Sequence, residues 1–188
     1  MPTPDILKTR QSALKQGYRD DPDSALITSA VDSAVASATP ASDDPTRVRI
    51  TVDSPAQTTL EVGAHVAVGG EDDLPCSGDI FLASLAACQE LTIRMVASAM
   101  GLTLKRLAVR AEGDFDVRGT LAVSREAPVG YTALRVLVDL DVDATEDQRA
   151  RLLRSAERYC VVSQTLKNPP PVDLIVSDAI IAPTHDPA

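Results

Sequence analysis

Aromatic residues are scarce in this chain: they make up 3% of the 188 residues, and tryptophan is absent. A hydrophobic core must therefore rest on valine, leucine, isoleucine and alanine, and we expect much of it to form between subunits. Hydrophobic residues nonetheless reach 44%, which is typical of a folded protein and not of a disordered one. The length allows one domain with a sizeable core, or one domain with an extension.

Positive charge is also in short supply. Lysine and arginine number 18 against 27 aspartates and glutamates, which gives a formal net charge of -9. Such a surface repels phosphate groups, so nucleic acids and anionic membranes are poor candidates as partners.

Uninterrupted apolar segments and targeting signals are missing as well. The longest apolar segment, Ile80–Met100, contains Gln89, Glu90 and Arg94, which argues against a membrane span. The first ten residues show no basic region followed by an apolar run, so we expect no signal peptide. The three cysteines have uneven spacing, which is not typical of a secreted disulfide framework. We therefore expect a cytoplasmic protein. The two histidines form no cluster with cysteine at metal-ligand spacing, so we expect no metal site.

The pattern of apolar residues and turn signals predicts a mixed α+β fold. We expect an N-terminal extension over residues 1–45, a domain over residues 46–182 and a loose tail over residues 183–188. The predicted helices and strands of the chain, in order, are a helix over 5–16, strands over 47–52 and 58–68, a helix over 78–100, strands over 102–117 and 131–142, a helix over 145–159 and a strand over 172–181. Thr145 and Gln148, at the start of the helix over 145–159, have the spacing of a capping box.

The predicted helix over 78–100 carries a cysteine near its middle. Ser77 can cap this helix, and Gly101 can end it. Cys88 belongs to a stripe of residues spaced by four and three, which predicts that it lies on the buried face. A cysteine in such a place is commonly a small packing residue, so the helix alone leaves packing and chemistry both open. The stripe comprises Phe81, Leu85, Cys88, Thr92, Met95 and Ala99.

Two segments together resemble a known family. One is GGEDDLPCSGDIFLASLAAC, residues 69–88, and the other is RYCVVSQTLKNPP, residues 158–170. Both resemble the OsmC/Ohr family of small peroxide-reducing proteins, which shows a Gly-rich loop, an apolar helix with a cysteine and a second cysteine before a V-S-x-T-L run. The segment EGDFDVRGTL, residues 112–121, also fits. The likeness covers about residues 47–180.

The resemblance implies an α+β fold in an intertwined homodimer, with two long central helices wrapped by antiparallel sheets. It also implies reduction of organic hydroperoxides, or of hydrogen peroxide, by cysteine chemistry. Cys88 matches the peroxidatic position, whose thiolate attacks the peroxide, and Cys160 matches the resolving position. An external thiol or dithiol would restore the dithiol form, and neither a metal nor an organic cofactor is required.

More than one residue is a candidate for activating the Cys88 thiolate. In the Ohr branch an arginine from the N-terminal strand region pairs with the thiolate and with a carboxylate near the start of the helix. Arg49 is the favoured match and Arg47 the other, although either can equally be a solvent-facing strand residue. Asp79 stands nine residues before Cys88 and is either this carboxylate or an acid at the helix N-terminus. The Ohr glutamate corresponds to Gly78.

The role of the third cysteine and the function of the protein also have more than one interpretation. Cys76 is a loop residue or a third redox thiol. The leading hypothesis is a thiol-dependent peroxidase. The missing glutamate at position 78 keeps open a redox-sensing dimer without significant turnover. An apolar-ligand-binding dimer is the third hypothesis.

Overall fold

The computed structural model describes residues 4–33, 44–54, 56 and 58–176, and the predicted tail over 183–188 lies outside them. Helices and antiparallel strands alternate, so the predicted α+β class is confirmed. The elements in chain order are α1 (Pro4–Asp20), β1 (Val31–Asp32), β2 (Arg47–Val52), β3 (Thr59–Gly63), α2 (Ser77–Ala99), β4 (Thr103–Phe115), α3 (Val117–Thr120), β5 (Tyr131–Asp143), α4 (Glu146–Tyr159) and α5 (Val161–Lys167).

The strands form two separate antiparallel sheets in the described part of the chain. The first has the order β1-β2-β3, with Val31 opposite Val52 and Arg49 opposite Glu61. The second is a long hairpin of β4 and β5. Because β1 belongs to the predicted extension and pairs with β2, the extension is joined to the domain by a sheet. The division at residue 45 stays a prediction.

The core lies between α2, the β4–β5 hairpin and α4. Ile93 and Ala97 of α2 are fully covered by Leu140 of β5 and by Leu152 and Ala156 of α4. Four-residue spacing in α2 places its buried residues on one face. This packing fixes the middle of α2, and with it Cys88, against the rest of the domain.

The buried face of α2 differs from the predicted stripe. Its most buried residues are Leu85, Gln89, Ile93 and Ala97, in steps of four. Cys88 lies at the flank of this face and is half-buried, whereas Met95 is 43% exposed. The prediction that Cys88 lies inside the buried stripe was therefore wrong. The buried face passes through Gln89, the next residue along the helix, because the sheet and α4 lie on that side.

The start of α2 also differs from the prediction, since Cys76 and not Ser77 is the N-cap residue. Cys76 has an extended backbone, and its N–H donates to the carboxylate of Asp79 at 2.9 Å. Aspartate three residues after the cap supplies this reciprocal bond, as in a capping box. At the other end, Gly101 has a φ of 68°, a left-handed conformation that glycine adopts without strain.

A second capping box, as predicted, begins α4. The hydroxyl of Thr145 accepts from the N–H of Gln148, and the Gln148 side chain accepts from the N–H of Thr145. The helix ends at Tyr159, and α5 starts two residues later. The sequence pattern gave no prediction of α5, which is only seven residues long and follows without a turn-rich loop.

Two predicted strands are shorter than expected, and the described part of the predicted final strand is not a strand. Residues 66–68 form a 3₁₀ turn in place of the end of a strand, and the hairpin strand that was predicted to reach 117 ends at Phe115 before α3. His65 caps the 3₁₀ turn through its Nδ1, which accepts from the N–H of Ala67. Residues 172–176 have no regular structure, and the rest of the predicted final strand lies outside the described residues.

The helix α2 is long and apolar enough to span a membrane by length and composition alone. Core helices of globular domains pass the same test. In this fold its inner face contacts the β4 strand and α4, while charged residues such as Glu90 and Arg94 form an ion pair on its outside.

Candidate active site

Cys88 lies in the middle of α2, twelve residues after the N-cap. Its backbone carbonyl accepts a second hydrogen bond, 2.7 Å long, from the hydroxyl of Thr92 one turn later. This bond fixes Thr92 beside the cysteine. The side chain of Cys88 is half-buried, so the sulfur stands between the packed interior and the surface.

Cys160 occupies the junction of two helices. It is the C-cap residue of α4 and the N-cap residue of α5, with extended backbone angles, and its N–H donates to the carbonyl of Ala156 at 3.1 Å. The residue is completely buried. Because α5 packs on α2, the break at Cys160 turns this thiol toward the middle of α2.

The thiols of Cys88 and Cys160 are neighbours. Burial raises the pKa of the Cys160 thiol above its ordinary value, and hydrogen bonding and electrostatic interaction with Cys88 raise the pKa further. The backbone N–H groups of Ser163 and Val162 act in the opposite direction. The raised pKa favours the protonated form of the Cys160 thiol.

Asp79 is held at the N-terminus of α2. Its carboxylate accepts from the N–H of Cys76, and this bond lowers the pKa of the carboxyl, with further lowering by the Cys76 thiol and by His65. Nine residues of α-helix separate Asp79 from Cys88, about 13 Å along the axis. The structure therefore brings Asp79 to the helix start and not to the Cys88 thiol.

The position of the family glutamate is occupied by Gly78 for a visible steric reason. A Cβ atom at Gly78 would lie 2.6 Å from the hydroxyl of Tyr131 and 3.4 Å from the sulfur of Cys76. Tyr131 is itself stacked on Phe81, and its pKa is raised by burial and by the nearby Cys76 and Asp79. A side chain at this position would therefore require the Tyr131 ring to move.

The two candidate arginines pair with carboxylates elsewhere. The guanidinium of Arg49 donates to Glu61 on the neighbouring strand at 2.5 Å, and both side chains are exposed. Arg47 bridges Glu71 at 2.8 Å and Asp73 at 2.7 Å in the loop before α2. Neither ion pair includes Cys88, so an activating role for either arginine stays a prediction.

Cys76 is remote from the cysteine pair. It precedes Cys88 by twelve residues at the start of the same helix, a separation of about 18 Å along the axis. A disulfide needs Cα atoms within about 7 Å. A Cys76–Cys88 bond within this chain is therefore excluded while α2 is intact.

Several features of the site were not foreseen. Tyr131 lies beside Cys76 at the start of α2, and the N–H group of Ser163 lies beside Cys160, and only the three-dimensional fold brings Tyr131 there. Within the described ranges, no group of three or more His, Cys, Asp or Glu side chains could hold a metal ion. The chemistry available at the pair is that of two thiols.

Comparison with known proteins agrees with this arrangement. Residues 70–175 match the sequence profile of the OsmC-like protein family. The matched region is more than half of the chain and contains both Cys88 and Cys160. The chain belongs to the OsmC-like family.

Solved structures show the same fold at low sequence identity. An OsmC-like protein from Mycoplasma pneumoniae is 14% identical with a TM-score of 0.54, over 77% of this chain and 89% of that one. An organic hydroperoxide resistance protein from Elizabethkingia anophelis is 16% identical with a TM-score of 0.54, over 77% and 91%. One from Legionella pneumophila is 18% identical with a TM-score of 0.52, over 76% and 90%. No curated protein sequence matches the chain significantly.

Proposed function

We propose that this OsmC-like protein is a thiol-dependent peroxidase that reduces organic hydroperoxides, or hydrogen peroxide, through Cys88 and Cys160. The observation that carries the proposal is that α5, which is capped by Cys160, packs on α2, which carries Cys88, and that the two thiols are close enough for Cys88 to raise the pKa of Cys160. Structural relatives named as organic hydroperoxide resistance proteins support the choice of substrate class.

The first step is attack by the Cys88 thiolate on one oxygen of the peroxide. The O–O bond breaks, Cys88 becomes a sulfenic acid, and the other oxygen leaves as an alcohol after taking a proton. The sulfur is oxidised by two electrons and the peroxide is reduced by two. The half-buried position of Cys88 gives a peroxide access to the sulfur while Cys160 stays covered.

The second step is attack by the Cys160 thiolate on the sulfur of the Cys88 sulfenic acid. A disulfide forms, the S–O bond breaks, and the sulfenic oxygen takes up a proton and leaves as water, so Cys88 is protected from further oxidation. An external thiol or dithiol then restores both thiols by exchange and supplies the two electrons that the peroxide consumed. The cycle uses no metal and no organic cofactor.

Steady-state consumption of cumene hydroperoxide in the presence of a dithiol reductant tests the proposal. We expect repeated turnover by the wild-type protein, with one dithiol oxidised for each peroxide reduced. A single stoichiometric oxidation followed by no turnover would contradict the peroxidase proposal. It would support instead a redox-sensing dimer, a function favoured by the engagement of Arg47 and Arg49 with other carboxylates.

The pH dependence of disulfide closure follows from the pKa of Cys160. Only the thiolate attacks, and burial raises the pKa of this thiol, so a small fraction is ionised at neutral pH. We expect the closure rate after one equivalent of peroxide to rise with pH, by up to about tenfold per unit below the pKa. Rapid acid quenching and mass spectrometry measure the rate. A rate independent of pH from about pH 7 to about pH 9 would contradict this assignment.

We further propose a homodimer in which α2 forms the centre of the interface. Apart from the Glu90–Arg94 ion pair, the outer face of α2 has exposed apolar side chains, with Leu91 59% and Met95 43% exposed. Light scattering should give the mass of two chains, and Leu91→Glu should shift the mass toward one chain. Leu121→Glu, a matched change at an exposed leucine outside α2, should remain dimeric. A monomeric wild-type protein would contradict the proposal.

A further inference from the structure

The structure contains a cavity next to the cysteine pair that neither cysteine lines. Its volume is about 540 Å³, within the range of small-molecule sites. The walls come from α2, β5, α4 and α5 and are mainly aliphatic, with Leu85, Val136, Val138, Leu153 and Leu166 among them. A cavity of this size and composition can enclose an apolar molecule.

One polar side chain in the wall is buried and unpartnered. Gln89 is 7% exposed, lines the cavity and is the buried polar residue of the described chain. Among the described residues, no side-chain hydrogen bond involves its amide, so the amide's hydrogen-bonding capacity is not used there. The amide atoms retain some access to the cavity, since the described residues contain no fully enclosed side-chain nitrogen or oxygen without a partner. The Gln89 amide therefore offers one donor group and one acceptor group to an occupant.

The two charged side chains that line the cavity neutralise each other. Glu157 and Lys167 also line the cavity, and they form an ion pair with each other. The remaining walls carry no charge, so an ionic ligand would gain no unpaired partner there. The chemistry of the cavity favours a neutral molecule.

We propose that this cavity binds a small neutral amphiphile whose apolar body lies against the aliphatic walls and whose hydrogen-bonding group, such as a carboxamide or a hydroxyl, meets the Gln89 amide. The site is distinct from the reacting sulfurs but adjacent to them. Gln89 follows Cys88 directly in α2, and Ser163, whose N–H group interacts with the Cys160 sulfur, lines the cavity.

Titration calorimetry with octanamide on the reduced full-length protein tests the proposal without peroxide. Wild type should bind octanamide and also toluene, which is a wholly apolar probe. Gln89→Leu should weaken octanamide by about fivefold or more, because a hydrogen bond is lost, while toluene binding is kept. Val136→Phe should weaken both probes by filling the cavity. Gln11→Leu is the control: Gln11 lines two other cavities, beside α1, so the loss of its amide should change neither affinity.

Two results would overturn the proposal. One is the absence of octanamide binding to the wild type, as expected if a second copy of the chain or its own C-terminal segment fills the cavity. The other is unchanged octanamide affinity in a folded Gln89→Leu variant. Because the assay involves no turnover, its failure is separate from a failure of the peroxidase proposal.

Discussion

Replacing Cys88 with serine should abolish peroxide turnover. A serine hydroxyl is not ionised near neutral pH and cannot carry the sulfenic acid, so the reaction loses both its nucleophile and its intermediate. We expect a fall of at least about 10³-fold in the steady-state rate with cumene hydroperoxide and a dithiol. Cys88 is not part of the buried core cluster around Ile93 and Leu152, so circular dichroism should show the same fold.

Cys76→Ser is the matched control for this change. Cys76 is the N-cap of α2, and serine is among the residues that favour this position. The control should keep the wild-type rate within about twofold, since Cys76 is about 18 Å from Cys88 along the helix. Full turnover by Cys88→Ser in a folded protein would contradict the peroxidase proposal. Loss of turnover by Cys76→Ser would show that the third thiol takes part.

Replacing Cys160 with serine should separate the first oxidation from its resolution. Cys88 would still attack the peroxide, but no thiol would remain beside it to close a disulfide. The sulfenic acid should persist and then react with further peroxide to the sulfinic and sulfonic acids, which dithiols do not reduce. Peroxide consumption should therefore stop after about one to three peroxides per chain when peroxide is in excess, one for each oxygen atom added to Cys88.

Mass spectrometry follows this variant directly. One equivalent of cumene hydroperoxide should add one oxygen atom to Cys88, and an excess should add two and then three. A Cys160→Ser variant that sustains turnover without over-oxidation would contradict the resolving role. Serine fits the volume at this fully buried helix junction, so loss of the fold is not expected to obscure the result.

The sequence supported predictions that depend on order and spacing along the chain. The α+β class, the long helix through Cys88 and the capping box at Thr145 all depend on local patterns, and the structure agrees. The family follows from two segments around Cys88 and Cys160, and the profile match over 70–175 confirms it. The roles of the two cysteines, the homodimer and the cytoplasmic location stay predictions.

The sequence could not predict features that depend on which groups meet across the fold. Arg49 has the right distance from Cys88 in sequence, but the strand register places it opposite Glu61. Asp79 is three residues after Cys76 and is therefore used by the helix cap. The lack of room for a side chain at Gly78 beside Tyr131 and the position of Gln89 in a cavity wall depend on distant elements, which no local pattern contains.

The disulfide formed by one equivalent of cumene hydroperoxide tests the central claim most directly. The oxidised wild-type protein is digested without reduction, and the linked peptides are identified by mass spectrometry. The proposed chemistry predicts a Cys88–Cys160 bond within one chain, because these two thiols already interact in the fold. A Cys76–Cys88 bond, or oxidation without any disulfide, would contradict it.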